Sequence, residues 1–429
     1  MSVNSASYFS QESVLRLLRH IDDIFGESVS ARVADMANHV LTGENDFSLV
    51  LGGPLYQLYL RTKLARPPLE LVWRRAIAIP LICWTPPFLL TLVAGQSFGN
   101  VGIPFSLSLG VHARFLVALP LLIAAELIAH ERMRAIVDQF LHRGIIRLED
   151  RRRFEAMVQS ATRLRNSTSA EVAILLFVVA FSYWAWREIV VADASSWYAA
   201  NDERSAHLTA AGIWYAFVSL SILRFILLRW YFRLFVWYRF LWQVRSLPLR
   251  LNLFHPDRAG GLGFLSGSVF AFAPVLVAQT VILAGFIGDR IWHAGAHLPS
   301  FELEILAAVV FLVLIVLAPL SFFVIRLENA RQLARGEYGI LASHYVDDFH
   351  RKWIEGDGFS VEPLLGTQDI QSLSDLGNSY NVVSEMSLLP FNKRTVLQLA
   401  VLVVLPLLPL VLTMAPLHDV LERLVRLVF

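Results

Sequence analysis

Cysteine and lysine are both scarce in this sequence, and charged residues of every kind are few. Cys83 is the single cysteine among 429 residues, so an intramolecular disulfide is excluded and a cysteine-based metal or redox site is not expected. Charged residues make up 17% of the chain and hydrophobic residues 56%, whereas a soluble domain carries about 25% charged residues. The composition therefore predicts a membrane protein.

An excess of one charge sign is also lacking, because the formal net charge is only +2. The chain has no overall basic character that would favour nucleic acid, so no nucleic-acid partner is expected. The first residues lack the basic start and continuous apolar core of a cleaved signal peptide. Residues 11–25 instead repeat apolar side chains at helical spacing, which predicts an amphipathic helix that lies on the membrane or packs on the protein.

Long apolar runs recur along the chain, and seven of them are long enough to cross a hydrocarbon layer of roughly 30 Å. They lie near residues 76–95, 113–130, 170–187, 209–228, 264–287, 304–325 and 396–415. The second run carries Glu126, and Pro406 and Pro409 predict a bend or a re-entrant segment in the last. The expected fold class is all-α: a polytopic helical membrane protein of about seven transmembrane helices with a cytoplasmic helical layer.

The distribution of arginine predicts the side of the membrane on which each connection lies, because Lys and Arg are retained in the cytoplasm. The segments that hold nearly all of these residues are 1–75, 131–169, 229–263 and 326–395. The alternate connections, which contain only Arg204 and Arg290, are 96–112, 188–208 and 288–303. We therefore expect a bacterial inner-membrane protein with a cytoplasmic amino terminus and a carboxyl terminus outside.

This topology divides the chain into four parts. They are a cytoplasmic amino-terminal helical segment at 1–75, a six-span membrane region with helical cytoplasmic loops at 76–325, a cytoplasmic helical segment at 326–395, and the last span with its tail at 396–429. In the third part, one helix places a bulky stripe on one face, formed by Tyr338, Leu341, Tyr345, Phe349 and Trp353. A second helix, capped by Thr367, aligns Ile370, Leu373, Leu376, Tyr380 and Val383. We expect the two helices to dock in one layer.

The stretch FHPDRAGGLGFLSG, residues 254–267, contains the strongest candidate site. Pro256 prevents a helix from continuing and the glycines permit positive φ, so the chain must turn sharply before the fifth span. One reading is a tight connector in which Asp257 pairs with Arg258 or caps the next helix. The other is that freed backbone N–H groups and Arg258 form a pocket for an anion. The residues of this candidate anion or ligand site are His255, Asp257, Arg258, Gly260 and Gly261.

Three stretches of the chain carry a family resemblance. The tripeptide HPD also occurs in J-domain co-chaperones, but there it joins two soluble helices, whereas a membrane span follows here, so that resemblance is rejected. The stretches GGPLYQLYL (52–60), HPDRAGGLGFL (255–265) and EPLLGTQDIQSLSDL (362–376), with the proline-rich last span, resemble a family of multipass bacterial inner-membrane proteins. The resemblance implies a location in the cytoplasmic membrane and brings no activity or catalytic residue to carry over.

Ionisable residues inside the predicted spans are the second kind of candidate. Glu126 is the one carboxylate well inside a span, and an ionisable group there is costly enough to indicate a function. His130 lies four residues on, so the two side chains share a helix face and are placed to share a proton. Alternatively, Glu126 pairs with an arginine of a neighbouring helix. Arg224, close enough to the inner surface to snorkel, is the third pathway candidate.

Metal and catalytic motifs are lacking. The run HYVDDFH, with His344, Asp347, Asp348 and His350, has no second ligand cluster in the sequence, so a solvated helix face is the favoured interpretation. The sequence contains no P-loop, nucleophile elbow, zinc-peptidase motif or set of kinase motifs. We therefore expect no metal site, no cofactor and no catalytic residue.

Three functions are compatible with these features. The leading hypothesis is an oligomeric channel or pore-like transport protein with anion sensing at the cytoplasmic face, supported by prolines that interrupt five of the spans and by the lack of internal repeats. The alternatives are a membrane enzyme acting on a phosphorylated lipid or nucleotide through His255 and Asp257, and a non-catalytic scaffold or signalling partner. The sequence favours a non-enzymatic function, with membrane lipid, further copies of the chain and a small ion or anionic ligand as partners.

Epitope tags inserted after residues 145 and 360 are expected to lie on the same, cytoplasmic face, because both sites lie in arginine-rich connections. The measurement is labelling by a membrane-impermeant reagent in intact and in lysed spheroplasts. A tag in the 188–208 connection is the control and should be labelled without lysis. Tags after 145 and 360 that report opposite faces would contradict the topology.

Overall fold

Long apolar stretches fold as helices here because a backbone in lipid must satisfy its own hydrogen bonds. The computed structural model describes residues 47–64, 66, 69, 71–192, 195–202, 205–356 and 368–413. Its helices long and apolar enough to span a membrane, numbered spans 1 to 7 in chain order, are Val72–Val93, Leu109–His142, Leu148–Ala185, Ala210–Val244, Leu262–Ala294, Leu298–Glu355 and Lys393–Val411. Each predicted run overlaps one of them, so the all-α polytopic fold is confirmed.

Some expectations concern residues outside the described ranges. These are the amphipathic helix at 11–25, the cap at Thr367 and the end of the last run beyond residue 413. The chain divides after Phe47 into two compact units, and the unit that begins at Ser48 contains all seven spans. The first helix of that unit is Pro54–Arg61, which precedes span 1.

Four spans change their helical geometry along their length. Span 2 contains a π-helical segment, Ala113–Ala118, and span 4 contains another, Tyr215–Ser219. Spans 6 and 7 contain 3₁₀ segments, Ala318–Phe323 and Leu405–Leu407. The 3₁₀ segments each include a proline, which has no N–H to donate within a helix. The regular helices between these breaks are Leu109–His112, Leu119–His142, Ala210–Trp214, Leu220–Val244, Glu302–Leu317, Val324–His350, Lys393–Val404 and Leu408–Val411.

Spans 3 and 5 are entered through short 3₁₀ turns. Span 3 begins with Leu148–Asp150 and Arg151–Arg165, and its apolar helix is Thr168–Ala192. Span 5 begins with Leu262–Ser266 and continues as Gly267–Ala294, which accommodates Pro274 without a break. Span 5 packs along span 2, and the aromatic rings buried where spans 2, 4 and 5 meet include Phe140, Trp230, Trp237, Phe240 and Phe272.

One end of the bundle carries three short strands, which the sequence analysis did not predict. They are β1 Ser195–Ser196, β2 Ala199–Asp202 and β3 Ser205–Leu208, paired antiparallel in the order β1-β2-β3. β2 and β3 pair from Ala199 with Leu208 to Asp202 with Ser205. Ser196 also bridges to Ile103 in the preceding connection on this end. The strands are too short to show a period of two in sequence, so only their pairing reveals them.

Aromatic packing and neutral hydrogen bonds join the connections at this end. Phe105 and Trp197 are both fully buried, with ring centroids 4.9 Å apart. Trp84 Nε1 donates to His112 Nδ1 at 3.0 Å, so the other ring nitrogen carries the proton and donates to the Ser106 carbonyl at 3.1 Å. The three connections predicted to lie outside meet here, because Asp289 Oδ2 also accepts the N–H of Gly110 at 2.9 Å.

The connections predicted to be cytoplasmic meet at the opposite end of the spans. The N–H of Arg250 donates to the Ile145 carbonyl at 2.8 Å, and Arg258 pairs with Glu385 at 2.8 Å. Alternate connections therefore share an end, as the topology requires, and this end is called the inner end below. Which compartment it faces stays a prediction.

The inner-end part of span 6 forms a helical hairpin with the helix that follows it. The hairpin consists of Val324–His350, the π-helical turn Arg351–Glu355 and the helix Gln368–Ser384, and is called the inner hairpin. Its helices run antiparallel, since Tyr345 donates to the Asp369 carbonyl and Arg335 to the Ser384 carbonyl. Most residues of the two predicted stripes are buried or half-buried, but Leu341, Ile370 and Tyr380 are exposed.

Candidate functional site: a buried ionic cluster

Glu126 lies between two arginines from different spans. Arg75 Nη1, in the first turn of span 1, donates to Glu126 Oε2 at 2.9 Å, and Arg233 Nη2, in span 4, donates to Oε1 at 2.9 Å. Arg75 is fully buried, and Glu126 and Arg233 are 6% and 4% exposed. Each carboxylate oxygen has its own cationic donor, so one glutamate holds spans 1, 2 and 4 together.

A second buried pair joins spans 3 and 4. Arg229 Nη2 lies 3.0 Å from Glu171 Oε1, and Glu171 Oε2 accepts the N–H of Leu55 at 2.9 Å. Leu55 is at the start of the helix Pro54–Arg61, where backbone N–H groups have no partner within the helix. The Glu171 carboxylate therefore binds the amino terminus of the helix Pro54–Arg61, which lies in the stretch GGPLYQLYL.

Gly53 is required for this approach. Its φ is +86°, which disfavours any residue with a side chain, and a Cβ on Gly53 would lie 2.7 Å from Glu171 Oε1. A substitution at this position would push the carboxylate away from Arg229. Gly53 thus permits the contact between the helix Pro54–Arg61 and span 3.

Tyr59 covers one face of Arg75. The guanidinium carbon lies 4.8 Å from the centroid of the Tyr59 ring, which is a cation–π contact. Burial, and then the nearby Glu126 carboxylate, raise the pKa of Tyr59 to about 12, so its phenol is neutral at physiological pH. Arg233 makes a similar contact with Trp230 in its own span, at 4.6 Å.

The five charged residues of this cluster are Arg75, Glu126, Glu171, Arg229 and Arg233. They are called the ionic cluster below. Three are cations and two are anions, so the cluster carries one excess positive charge within the part of the chain that the structure describes. Charges interact more strongly when they are removed from water, and an unbalanced buried charge is correspondingly costly.

The predicted pathway residues do not form one site. Glu126 pairs with arginines of neighbouring helices, which is the second of the two readings considered for it, and His130 Nδ1 lies 2.9 Å from Ser48 Oγ. Arg224 donates to Ser182 Oγ at 3.0 Å, in a separate contact between spans 3 and 4. Only Glu126 of the three belongs to the ionic cluster.

The predicted anion pocket at HPDRAGG already holds a carboxylate of the chain itself. Asp257 accepts the N–H groups of Ala259 at 2.9 Å, Gly261 at 3.1 Å and Gly263 at 2.8 Å. Burial by itself raises the pKa of Asp257, but the three backbone donors and then His255 outweigh it and hold that pKa below its ordinary value. The glycine-rich turn therefore binds Asp257, an anion from the chain itself.

The other residues of that stretch lie around this turn. His255 Nδ1 lies 2.9 Å from Asp257 Oδ1, and Gly260 and Gly261 both have positive φ, as the sequence predicts for a sharp turn. Arg258 does not pair with Asp257; its guanidinium is largely exposed and binds Glu385 of the last inner connection. Its role in binding an external anion stays a prediction.

Side chains that could bind a metal do not cluster in the described ranges. No group of three or more His, Cys, Asp or Glu side chains that could hold a metal is found there, the HYVDDFH stretch included. Asp348 in that stretch pairs with Arg351 and His350 lies 3.5 Å from Glu355, both on the exposed side of the inner hairpin.

Comparison with known proteins adds no function to this geometry. No protein-family model, curated protein or solved structure matches the chain. The resemblance of the three quoted stretches to a bacterial inner-membrane family therefore stays a prediction, although two of these stretches contain the Glu171 and Asp257 contacts described above.

The sequence does not single out Arg75 or Glu171 as candidate site residues. Both residues lie at the ends of apolar runs. An arginine there is expected because Arg is retained on the cytoplasmic side of a membrane, and a glutamate is expected because a carboxylate is favourable in the first turn of a helix. A signal was available in the spacing of Arg229 and Arg233, which puts two arginines on one face of span 4 and calls for acidic partners on neighbouring spans.

We expect Glu126→Gln to lower the free energy of unfolding by about 3–5 kcal/mol, because it leaves two buried arginines with a neutral amide. The measurement is denaturation of the purified protein in mixed micelles. Glu304→Gln is the matched control, since Glu304 is an exposed glutamate at the start of span 6. Equal unfolding midpoints for the two variants would show that the pairing contributes no stability.

Proposed function

We propose that this protein is a homo-oligomeric transport protein of the bacterial inner membrane that carries a small anion. The amino terminus and the inner end face the cytoplasm in this proposal, as the arginine-rich connections predict. Membrane lipid surrounds the exposed apolar side chains of the spans, such as Leu176, Phe177 and Leu314.

The observation that carries the proposal is the ionic cluster. Ionisable groups at membrane depth are costly and usually mark a substrate or ion path. Spans 1 to 4 each contribute at least one charged member, and its excess positive charge favours an anion over a cation. Arg75 and Glu171 lie in the first turns of their helices, so the cluster is close to the inner end.

Irregular helical segments supply a place where the spans can change shape. The π-helical segments of spans 2 and 4 lie side by side, because Phe115 and Tyr215 form an edge-to-face pair with centroids 6.1 Å apart. Arg114 Nη1 also donates to the Tyr215 hydroxyl at 2.7 Å. Such segments are frequent at functional sites, since their looser hydrogen bonding permits rearrangement.

The geometry at HPDRAGG supports transport over the membrane-enzyme alternative. A general base must reach a substrate proton, but the oxygens of Asp257 accept three backbone N–H groups and stand beside His255. These contacts support the reading of the turn as a connector before span 5. No catalytic residue is assigned.

Anion flux in proteoliposomes tests the proposal. We expect chloride or phosphate efflux above the protein-free background and faster than potassium efflux, because the cluster has an excess positive charge. Arg75→Lys should slow anion efflux about tenfold, equivalent to roughly 1.4 kcal/mol, because lysine keeps the charge but not the planar donor fork. Ion-selective electrodes give both rates.

Arg152→Lys is the matched control for the flux experiment, because Arg152 is an exposed arginine outside the ionic cluster. Its efflux should equal that of the unchanged protein. Anion efflux no faster than in protein-free liposomes, from protein shown to be inserted and monodisperse, would exclude the transport function.

The exposed apolar side chains of the inner hairpin support self-association. Leu333 and Ile340 are 65% and 63% exposed and lie two turns apart on one face. Both lie well beyond the apolar run of span 6, where a soluble surface would be expected to carry polar groups. We assign this face to contact with a further copy of the chain.

Mass photometry in detergent is expected to find particles of two or more chains. Combined Leu333→Glu and Ile340→Glu substitutions should reduce them to single chains, because burying two glutamates in the contact is unfavourable. Leu148→Glu, at a residue 88% exposed in another inner connection, should leave the particle mass unchanged. An unchanged protein that is a single chain would contradict self-association and favour a scaffold whose hairpin recruits a different protein.

A further inference from the structure

Arg75 has more hydrogen-bond donors than its surroundings use. Its Nη1 donates to Glu126, but Nε and Nη2 are buried and have no hydrogen-bond partner among the residues that the structure describes. The residue is 0% exposed, so bulk water does not reach these nitrogens. A buried donor without an acceptor is costly, and more so when the group is charged.

The two nitrogens lie on the same edge of the guanidinium. Nε and Nη2 form the fork that binds two oxygens of a carboxylate or a phosphate with parallel hydrogen bonds. Glu126 is held by the other terminal nitrogen, Nη1, and Tyr59 covers a face of the guanidinium without occupying the fork. The donor edge best suited to an oxyanion is therefore the one left without a partner.

The charge of the surroundings favours an added anion. The ionic cluster has three arginines and two glutamates, and Arg229 and Arg233 each have a carboxylate partner within 3.0 Å. One further negative charge at Arg75 would offset this excess positive charge, to which the neighbouring Arg165 adds by its repulsion with Arg233. A neutral molecule such as water would satisfy the donors but leave the excess charge in place.

We infer that the Nε–Nη2 edge of Arg75 is a binding site for the phosphate group of a small oxyanion or a lipid headgroup. Inorganic phosphate and phospholipid headgroups share this chemistry, and either ligand has to displace the side chains that bury Arg75 to reach this edge. The inference deepens the proposed function and rests on it for the ligand's role, whereas binding is measurable without transport.

Binding of radiolabelled inorganic phosphate tests the site. Purified protein in nanodiscs of a phosphate-free glycolipid is expected to bind phosphate saturably, with one site per chain, in a scintillation proximity assay. Arg75→Lys should weaken the apparent affinity about tenfold or more, because one ammonium replaces the two-pronged donor. Arg152→Lys should bind as the unchanged protein does.

A second experiment distinguishes a lipid headgroup from free phosphate as the ligand. Where a lipid headgroup occupies the site, nanodiscs containing phosphatidic acid should block labelled phosphate, and native mass spectrometry should find a phosphate-bearing lipid that Arg75→Lys no longer retains. Where free phosphate is the ligand, phosphatidic acid should have no effect. Either result supports a phosphate site at Arg75.

Two results would overturn the inference. One is no saturable phosphate binding and no lipid retained through Arg75; the other is binding that Arg258→Ala abolishes and Arg75→Lys leaves unchanged, which would move the site to the HPDRAGG turn. Should Arg75→Lys fail to fold, cryo-electron microscopy of the unchanged protein with phosphate, and with phosphatidic acid, decides by density at the Nε–Nη2 edge. Phosphate binding without anion efflux would contradict the transport function and keep the site.

Discussion

The arrangement of the first four spans depends on the pairing of one buried carboxylate with two arginines. Glu126 cannot lose either partner without leaving a charge in surroundings that stabilise charge poorly. Arg75 comes from span 1 and Arg233 from span 4. Their pairing with Glu126 therefore fixes the positions of spans 1 and 4 along the axis of span 2. The pair of Glu171 and Arg229 adds span 3 to the same arrangement.

Two of the unusual stretches in the sequence have one physical role in common, which is to present backbone N–H groups to a carboxylate. In GGPLYQLYL the acceptor is Glu171 from another span, and in HPDRAGG it is Asp257 from the turn itself. Glycine is needed in both because a close approach of backbone and carboxylate leaves no room for a Cβ. These backbone donors are thereby satisfied within the chain. In the ionic cluster, the donors without a partner are Nε and Nη2 of the Arg75 side chain.

The two ends of the bundle are stabilised by different interactions. The end with the strands has hydrogen bonds between neutral side chains, from Trp84 to His112 and from Trp197 Nε1 to Ser108, beside the Asp289 carboxylate, which accepts the N–H of Gly110. At the inner end, charged pairs dominate, from the ionic cluster to the exposed contact of Arg258 with Glu385. Trp353 and Lys352 of the inner hairpin also bind the Asp369 carboxylate, and these two donors lower the pKa of Asp369. Under the proposed function, ions bind at the inner end, where the charged groups lie.

The sequence by itself determined the seven helices, the grouping of their connections at two ends and the sharp turn at Pro256, because hydropathy, arginine content and proline geometry act locally along the chain. It also placed most of the stripe that includes Tyr345 and Trp353 correctly, since helical periodicity is a local property. Only the tertiary structure decided that Glu126 pairs with Arg75 and Arg233 rather than His130, and that Asp257 occupies the turn. Those outcomes depend on which groups from distant parts of the chain come within hydrogen-bond distance, and spacing along a sequence carries no such distance.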